Sequence, residues 1–184
     1  MSIIEKCTWN RLSPDDPLDS TLNPFECTEE DLTGFFYEDS AGYGRQLLAV
    51  TYTFELGDEV VAYYCVSNDV IIPDDITRGK RDRLEKTIPH PKRIKVYPAV
   101  KVGRLAVKTK YEGDGFGSDI LDLIKHSFTT GNKTGCRFIT VDANNNSKAI
   151  GYYVKNGFDF LVNEDAKEET RLMYFDLIRF NPTD

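Results

Sequence analysis

Three glycines, separated by single residues, lie in residues 111–117 between a strand-like and a helix-like segment. Residues 96–107 are rich in valine, as strands are. Residues 118–128 carry an apolar stripe at the spacing of an amphipathic helix. Because glycine adopts φ values above zero and lets a ligand approach the backbone closely, this segment predicts a strand, a tight loop and a helix that begins at the loop.

The N-terminus of such a helix is a candidate anion site. Its unpaired N–H groups and its dipole suit a pyrophosphate. The glycine spacing at residues 113–117 is G-x-G-x-G. It matches neither the P-loop, which requires Gly-Lys-Ser/Thr, nor the G-x-G-x-x-G dinucleotide fingerprint. From the glycines alone, a turn without a ligand is the open alternative.

Hydrophobic patterns and turn signals alternate along the rest of the chain. Residues 46–56 and 59–66 predict a hairpin, because a turn signal separates two strand-like runs. A helix is predicted to begin near Thr28, whose hydroxyl can cap it. Further strands are predicted at residues 5–11, 136–141, 158–162 and 172–178, a helix at 147–155, and a loop with one short helix at 71–91. Hairpins followed by alternating strands and helices indicate a mixed α/β fold around one sheet.

Size and composition fit one globular domain over residues 1–184, with 40% hydrophobic and 29% charged residues. No apolar run approaches the ~20 residues that span a bilayer. The first residues show no signal-peptide pattern, so we expect a cytoplasmic protein without membrane contact. The four cysteines form no C-x-x-C pair, which favours free thiols over metal ligands.

Charge is unevenly distributed along the chain. The net charge of −7 argues against a general nucleic-acid binder, because phosphate contacts need clustered Lys and Arg. One stretch, residues 78–95, is nevertheless basic: Arg78, Lys80, Arg81, Arg83, Lys86, Lys92, Arg93 and Lys95. This stretch is either an ordinary solvated face or a surface for the phosphates of a tRNA.

Two blocks of sequence carry a family resemblance. Residues 103–107 read Gly-Arg-Leu-Ala-Val and lead into the glycine run, and residues 146–158 contain Asn, Ala, Tyr, Lys and a final Gly-Phe. They resemble, in the right order, the strand, Q/R-x-x-G-x-G/A, helix motif and the N-x-x-A-x-x-x-Y-x-K-x-G-F block of the GNAT superfamily of N-acetyltransferases. The resemblance extends over about residues 25–177.

This resemblance implies a GNAT-like domain with a central, splayed mixed sheet flanked by helices. Acetyl-CoA is the implied cosubstrate, with its pantetheine arm beside the strand that ends near Val107, and no metal is implied. The implied cofactor-binding residues are Leu105, Ala106, Val107, Glu112, Gly113, Asp114, Gly115, Phe116, Gly117, Ser118 and Asn146. Glu112 departs from the family's Gln or Arg and, with Asp114, weakens phosphate binding unless Lys108 or Lys110 compensates.

Acetyl transfer needs a neutral amine, a polarised thioester carbonyl and a stabilised leaving thiolate. By resemblance, the phenol of Tyr153 donates to the sulfur, with packing or cofactor anchoring as its alternative role. A backbone N–H near Leu105 can polarise the carbonyl. Residues 100–104 contain no carboxylate, although many family members carry a glutamate base there. The two histidines, His90 and His126, are not assigned.

The prediction is an acyltransferase that moves an acetyl group from acetyl-CoA to a primary amine, and α-amines are favoured because no base is evident. Residues 25–36 and 103–107 also resemble the toxin-like branch. That branch acetylates the α-amine of aminoacyl-tRNA and pairs with a small antitoxin. An inactive, CoA-binding regulatory module is the second alternative. The acceptor and the oligomeric state, including a homodimer, are left open.

Overall fold

The computed structural model describes residues 2–15, 18 and 23–181. Its α-helices are α1 (Glu30–Gly34), α2 (Ser40–Arg45), α3 (Arg78–Glu85), α4 (Phe116–Thr129) and α5 (Ser147–Lys155). Its strands are β1 (Thr8–Arg11), β2 (Val50–Leu56), β3 (Glu59–Ile71), β4 (Tyr97–Val107), β5 (Phe138–Asn144), β6 (Asp159–Phe160) and β7 (Thr170–Asp176). None of these helices is long and apolar enough to cross a membrane.

The strands form one sheet in the order β1-β2-β3-β4-β5-β7-β6. β4 and β5 are parallel, whereas β1 with β2, β2 with β3, β5 with β7, and β6 with β7 are antiparallel. The parallel ladder covers Ala99–Lys101 and Phe138–Thr140, although β4 continues to Val107 and β5 to Asn144. α4 provides the crossover that a parallel pair requires. The mixed α/β fold predicted from the sequence is confirmed.

The chain forms two compact units, of which the first comprises Met1–Ser67 and Val102–Ile124. An aromatic cluster forms its core. The Tyr63 ring centroid lies 5.0 Å from that of Phe36 and 5.3 Å from that of Phe25. The Tyr63 hydroxyl donates to the Leu32 carbonyl at 2.6 Å, which satisfies the buried phenol and attaches α1 to β3.

The second unit comprises Asn68–Lys101 and Lys125–Asp184. The Arg137 guanidinium donates two hydrogen bonds, of 2.6 and 2.9 Å, to the buried Asp176 carboxylate. This is the geometry of a strong charge-assisted pair. The buried Lys125 side chain donates to the Asn156 carbonyl at 3.0 Å. Its Nζ also lies 4.6 Å from the Phe175 ring centroid. These contacts fix the C-terminal end of α5.

Several local predictions differ from the structure, including the bounds of the strands predicted at residues 136–141, 158–162 and 172–178. β2 begins at Val50, because residues 40–48 form α2 and the hydrogen-bonded turn that ends it. β3 continues to Ile71, five residues beyond the predicted strand. The prediction that Thr28 caps a helix was wrong. Glu29 occupies the N-cap of α1 without a side-chain cap, because the Thr28 hydroxyl donates to Glu112, 84 residues away.

Candidate functional site

The end of β4 carries the three residues predicted to face the pantetheine arm. Ala106 is buried in the aromatic core of the first unit, whereas Leu105 and Val107 are half-buried. After the strand, the Lys108 N–H donates to the Val61 carbonyl at 2.8 Å. The burial of Ala106 between two half-buried residues and this hydrogen bond hold the backbone of residues 105–107 in an extended conformation.

The glycine loop that follows has the predicted backbone freedom. Gly113 and Gly115 have φ values of 93° and 85°, in the region that side chains rarely adopt. No heavy atom lies within 4 Å of the position that a Cβ would take at either residue. The loop is exposed up to Gly115, while Phe116 is buried and its ring centroid lies 5.7 Å from that of Phe54. Phe116 therefore anchors the start of α4 beneath an open, solvent-facing loop.

The first turn of α4 lies directly after this loop. The N–H groups of Ser118 and Asp119 both donate to the Gly115 carbonyl, at 2.8 and 3.1 Å. The helix thus begins with its dipole directed at the glycines, an arrangement that favours an anion. Of the residues predicted to hold a pyrophosphate, Ser118 already uses its N–H inside the helix.

Glu112, the acidic departure from the family motif, is held by a residue that the sequence analysis did not connect with it. Its carboxylate accepts hydrogen bonds from the Thr28 N–H at 3.2 Å and from the Thr28 hydroxyl at 2.7 Å. Two donors on Oε1 partly balance the negative charge. Asp114, the second acid of the loop, is exposed. No local sequence pattern marks Thr28 as the partner, because it lies far away in the chain.

The two lysines expected to offset these acids have different surroundings. Lys108 forms an ion pair of 2.7 Å with Glu59, which also accepts from the Tyr111 hydroxyl at 3.0 Å. The hydrogen bond from Lys108 holds the pKa of Glu59 below its ordinary value, against the opposing effect of burial. Lys110 is exposed, with its Nζ 5.0 Å from the Tyr111 ring centroid. Lys110 is therefore the more accessible cation for a phosphate.

In the second unit, α5 has the bounds that the sequence predicts. The Asn146 side chain accepts from the Ala149 N–H at 2.9 Å and so caps the helix. At the other end, Gly157 has a φ of 83°, and a Cβ there would lie 3.1 Å from the Phe175 ring. Asn146, predicted to contact the cofactor, has a structural role in this arrangement.

Tyr153 lies on α5 with its ring held by neighbouring aromatic residues. Its centroid is 5.4 Å from that of Phe158 and 5.0 Å from that of Tyr152, both in edge-on contacts. The Phe158 N–H also donates to the Tyr153 carbonyl at 3.0 Å. Burial raises the pKa of Tyr153 to about 12. Its phenol is therefore protonated at neutral pH and able to act as a proton donor.

β4 itself contains no Asp, Glu or His, but neighbouring strands contribute carboxylates that the sequence analysis missed. Lys101 forms an ion pair with Asp142 of β5, and the Thr140 hydroxyl donates to Asp69 of β3. These pairs join strands distant in sequence, so inspection of residues 100–104 could not detect them. His90 and His126 are both exposed.

Residues 15–158, most of the chain, match the acetyltransferase (GNAT) family. The chain belongs to the GNAT family. It therefore transfers an acetyl group from acetyl-CoA to an amine, as the two sequence blocks predict. No curated protein sequence gives a significant match.

Several solved structures share the fold of this GNAT chain. A tyrosine-to-phenylalanine mutant of KacT has 22% identity and a TM-score of 0.75 over 94% of this chain and 96% of KacT. AtaT complexed with acetyl-methionyl-tRNAfMet has 23% identity and a TM-score of 0.73 over 92% of this chain and 94% of AtaT. AtaTR bound with acetyl-CoA has 22% identity and a TM-score of 0.69 over 95% of each chain. The likeness shows a common fold.

Gly115→Val is expected to weaken CoA binding at least tenfold while the protein remains folded. The φ of 85° at Gly115 strains a β-branched residue, and added methyl groups on an open loop crowd the phosphates that the neighbouring N–H groups are expected to bind. Calorimetric titration with CoA measures the effect. Gly135→Val is the matched control, since Gly135 is exposed, has no positive φ and has space for a Cβ. Equal affinity in the two variants would exclude the loop as the pyrophosphate site.

Proposed function

We propose that this GNAT acetyltransferase acetylates the α-amine of the amino acid carried by an aminoacyl-tRNA, in the cytoplasm. One observation carries the proposal: the likeness to AtaT complexed with acetyl-methionyl-tRNAfMet, over 92% of this chain and 94% of AtaT. Because the two proteins share a fold over nearly the whole of both chains, the likeness supports an acceptor of the same kind. Leu105–Val107 and residues 112–118 are the proposed acetyl-CoA contacts, and Tyr153 is the proposed proton donor.

The residues around β4 favour an acceptor of low pKa. Residues 100–104 contain no carboxylate, so no base is evident on the strand itself. An amine attacks a thioester only in its neutral form. The α-amine of an aminoacyl ester is neutral more often than a free α-amine, whose pKa is about 8, because the ester withdraws electrons. Such an acceptor needs less help from a base.

The basic stretch offers a surface for the tRNA backbone. Among the side chains of this stretch that the structure describes, the exposed cations are Arg78, Arg83, Lys86, Arg93 and Lys95. Arg81 is paired with Asp74 at 3.0 Å, and Lys80 donates to the Phe160 carbonyl. Since the whole protein carries a net charge of −7, attraction to phosphates has to come from this local surface.

A small antitoxin is the protein partner that this proposal includes. One structure with the same fold is an AtaT mutant bound to the C-terminus of the antitoxin AtaR and to acetyl-CoA. An enzyme that consumes charged tRNA blocks translation, so such an activity requires a means of restraint. We therefore expect a partner whose binding inhibits acetylation.

The test is acetylation of a mixture of aminoacylated tRNAs. The protein is incubated with labelled acetyl-CoA, and the esters are then hydrolysed and analysed by mass spectrometry for N-acetyl amino acids. We expect N-acetylated products whose rate of formation falls steeply, by about 10³-fold or more, between 50 and 200 mM salt if six or more phosphates are contacted. Deacylated tRNA with free amino acids is the control. Absence of acetylated aminoacyl-tRNA, together with turnover of a polyamine or a peptide, would overturn the proposal.

A further inference from the structure

A small recess in the first unit is next to the strand proposed to hold the pantetheine arm. Its volume is about 100 Å³, and its walls include Phe35, Tyr43, Leu48, Ser67, Gly103 and Arg104. Phe35 lies in the π-helical turn Phe35–Asp39 between α1 and α2, and such turns are frequent at functional sites. Gly103 and Arg104 immediately precede Leu105 on β4. At ~3.3 Å per residue along a strand, the recess lies within one or two residues of the proposed acetyl-CoA contacts.

Arg104 gives this recess one strongly polar group. Its guanidinium carbon lies 5.1 Å from the Phe35 ring centroid. Its Nη1 donates to the Gly103 carbonyl at 2.9 Å, and its Nη2 lies 3.9 Å from the carboxylate of the exposed Asp31. The buried Nε has no hydrogen-bond partner among the described residues. The side chain as a whole is 40% exposed, so the terminal N–H groups of the guanidinium can donate to a ligand. A carbonyl oxygen is a suitable partner, whereas a cationic group is repelled.

The rim of the recess is apolar and locally strained. Leu47 and Leu48 follow α2 and are 87% and 60% exposed, and Tyr43 is 44% exposed. Leu47 has a φ of 57°, at the helix end where glycine is the usual residue. A bulky residue with positive φ is rare and is more common at functional sites. The conformation belongs to the C-cap of α2, in which the Leu47 and Leu48 N–H groups donate to the Gly44 and Tyr43 carbonyls at 3.1 and 3.0 Å. The exposure of the two leucines does not stabilise the fold, and an apolar ligand at this rim accounts for it.

We propose that this recess binds the aliphatic side chain of the amino acid on the aminoacyl-tRNA and thereby selects which tRNAs are acetylated. This inference rests on the proposed function. Arg104 donates to the acyl oxygen of the ester and repels the cationic side chains of lysine and arginine. An apolar cavity of about 150 Å³ is enough for benzene. A recess of about 100 Å³ therefore suits valine, leucine, isoleucine or methionine, and excludes tryptophan and tyrosine.

The test is the acetylation rate, as kcat/KM, on a panel of purified aminoacyl-tRNAs. Hydrophobic pockets discriminate by about 10-fold or more per methylene group. We therefore expect kcat/KM for tRNAs that carry aliphatic amino acids to exceed that for glycyl-tRNA at least tenfold. It should exceed kcat/KM for lysyl- and tryptophanyl-tRNA by more. Ser67→Ile fills the recess and should lower the ratio of the leucyl-tRNA rate to the glycyl-tRNA rate at least tenfold. Leu48→Ala opens the wall and should raise the relative rate for tryptophanyl-tRNA.

Matched measurements keep the outcomes distinct. Ile178→Ala is the control for Leu48→Ala, because Ile178 is 63% exposed and Leu48 is 60% exposed. Since Leu48 lies at the surface, its variant tests the inference even if Ser67→Ile fails to fold. Equal rates across the panel, or a profile that neither variant changes, would overturn the recess assignment and leave the proposed function standing. Failure to acetylate any aminoacyl-tRNA would overturn both.

Discussion

Replacing Tyr153 by phenylalanine is expected to lower kcat about a hundredfold or more, with little change in acetyl-CoA affinity. A positioned proton donor contributes about 10²–10⁴-fold to a rate. Without the phenol, CoA has to leave as an unprotonated thiolate, so this step becomes slower. The substitution removes one hydroxyl and keeps the ring that packs against Phe158 and Tyr152 at centroid distances of 5.4 and 5.0 Å, so the fold and the cofactor site should persist.

The pH profile supplies a second readout for Tyr153. Burial raises the pKa of this phenol to about 12, so Tyr153 stays protonated through the neutral and mildly alkaline range. Activity of the wild-type enzyme should therefore rise with pH as the acceptor amine loses its proton. It should not fall through ionisation of Tyr153 before the pH approaches 12.

Single-turnover and steady-state kinetics, with calorimetry for acetyl-CoA, separate the chemical step from binding. Tyr152→Phe is the matched control, because it removes the same hydroxyl from the adjacent residue of α5 and should change kcat less than about threefold. Wild-type kcat in Tyr153→Phe would make Tyr153 a packing residue. A loss of acetyl-CoA affinity that accounts for the whole change would make it a cofactor anchor.

Local sequence patterns suffice for the elements that carry the family motifs. The predicted helix at residues 147–155 matches Ser147–Lys155, because an asparagine cap and an Asn-Gly ending mark both of its termini. The strand before the glycine loop and the helix after it were also predicted within two residues. At these places periodicity, capping residues and glycine each favour the same local structure.

Contacts between distant residues could not be read from the sequence in the same way. Thr28 satisfies Glu112 across 84 residues instead of capping a helix. Asp142 pairs with Lys101 across neighbouring strands. The recess at Arg104 combines side chains from α2, β3, β4 and the turns around them. In each case the partner is determined by tertiary packing, which single-sequence periodicity does not report.

An α-amine is expected to react at least a hundredfold faster than a lysine side chain, relative to total amine at pH 7.5. A lysine amine has a pKa of about 10.4 and an α-amine one of about 8, so roughly one in a thousand lysines but about a quarter of α-amines are neutral. The difference in population corresponds to ~3 kcal/mol, comparable with the contribution of a general base. Because residues 100–104 supply no carboxylate, the acceptor's own pKa should dominate the choice.

The measurement is a competition at fixed acetyl-CoA among an α-amine peptide, a lysine peptide blocked at its N-terminus, a polyamine and an aminoacyl-tRNA. Repeating it at pH 9.5 with the two peptides alone is the internal control, because the aminoacyl ester hydrolyses at that pH. There the neutral lysine fraction rises to about a tenth while the α-amine is already nearly all neutral, so the preference should shrink to about tenfold. Preference for the blocked lysine peptide at pH 7.5 would refute the argument and require a base. Asp69 and Asp142, on the strands that flank β4, are then the first carboxylates to replace by asparagine. The variant whose acetylation rate again depends on the acceptor's pKa identifies the base.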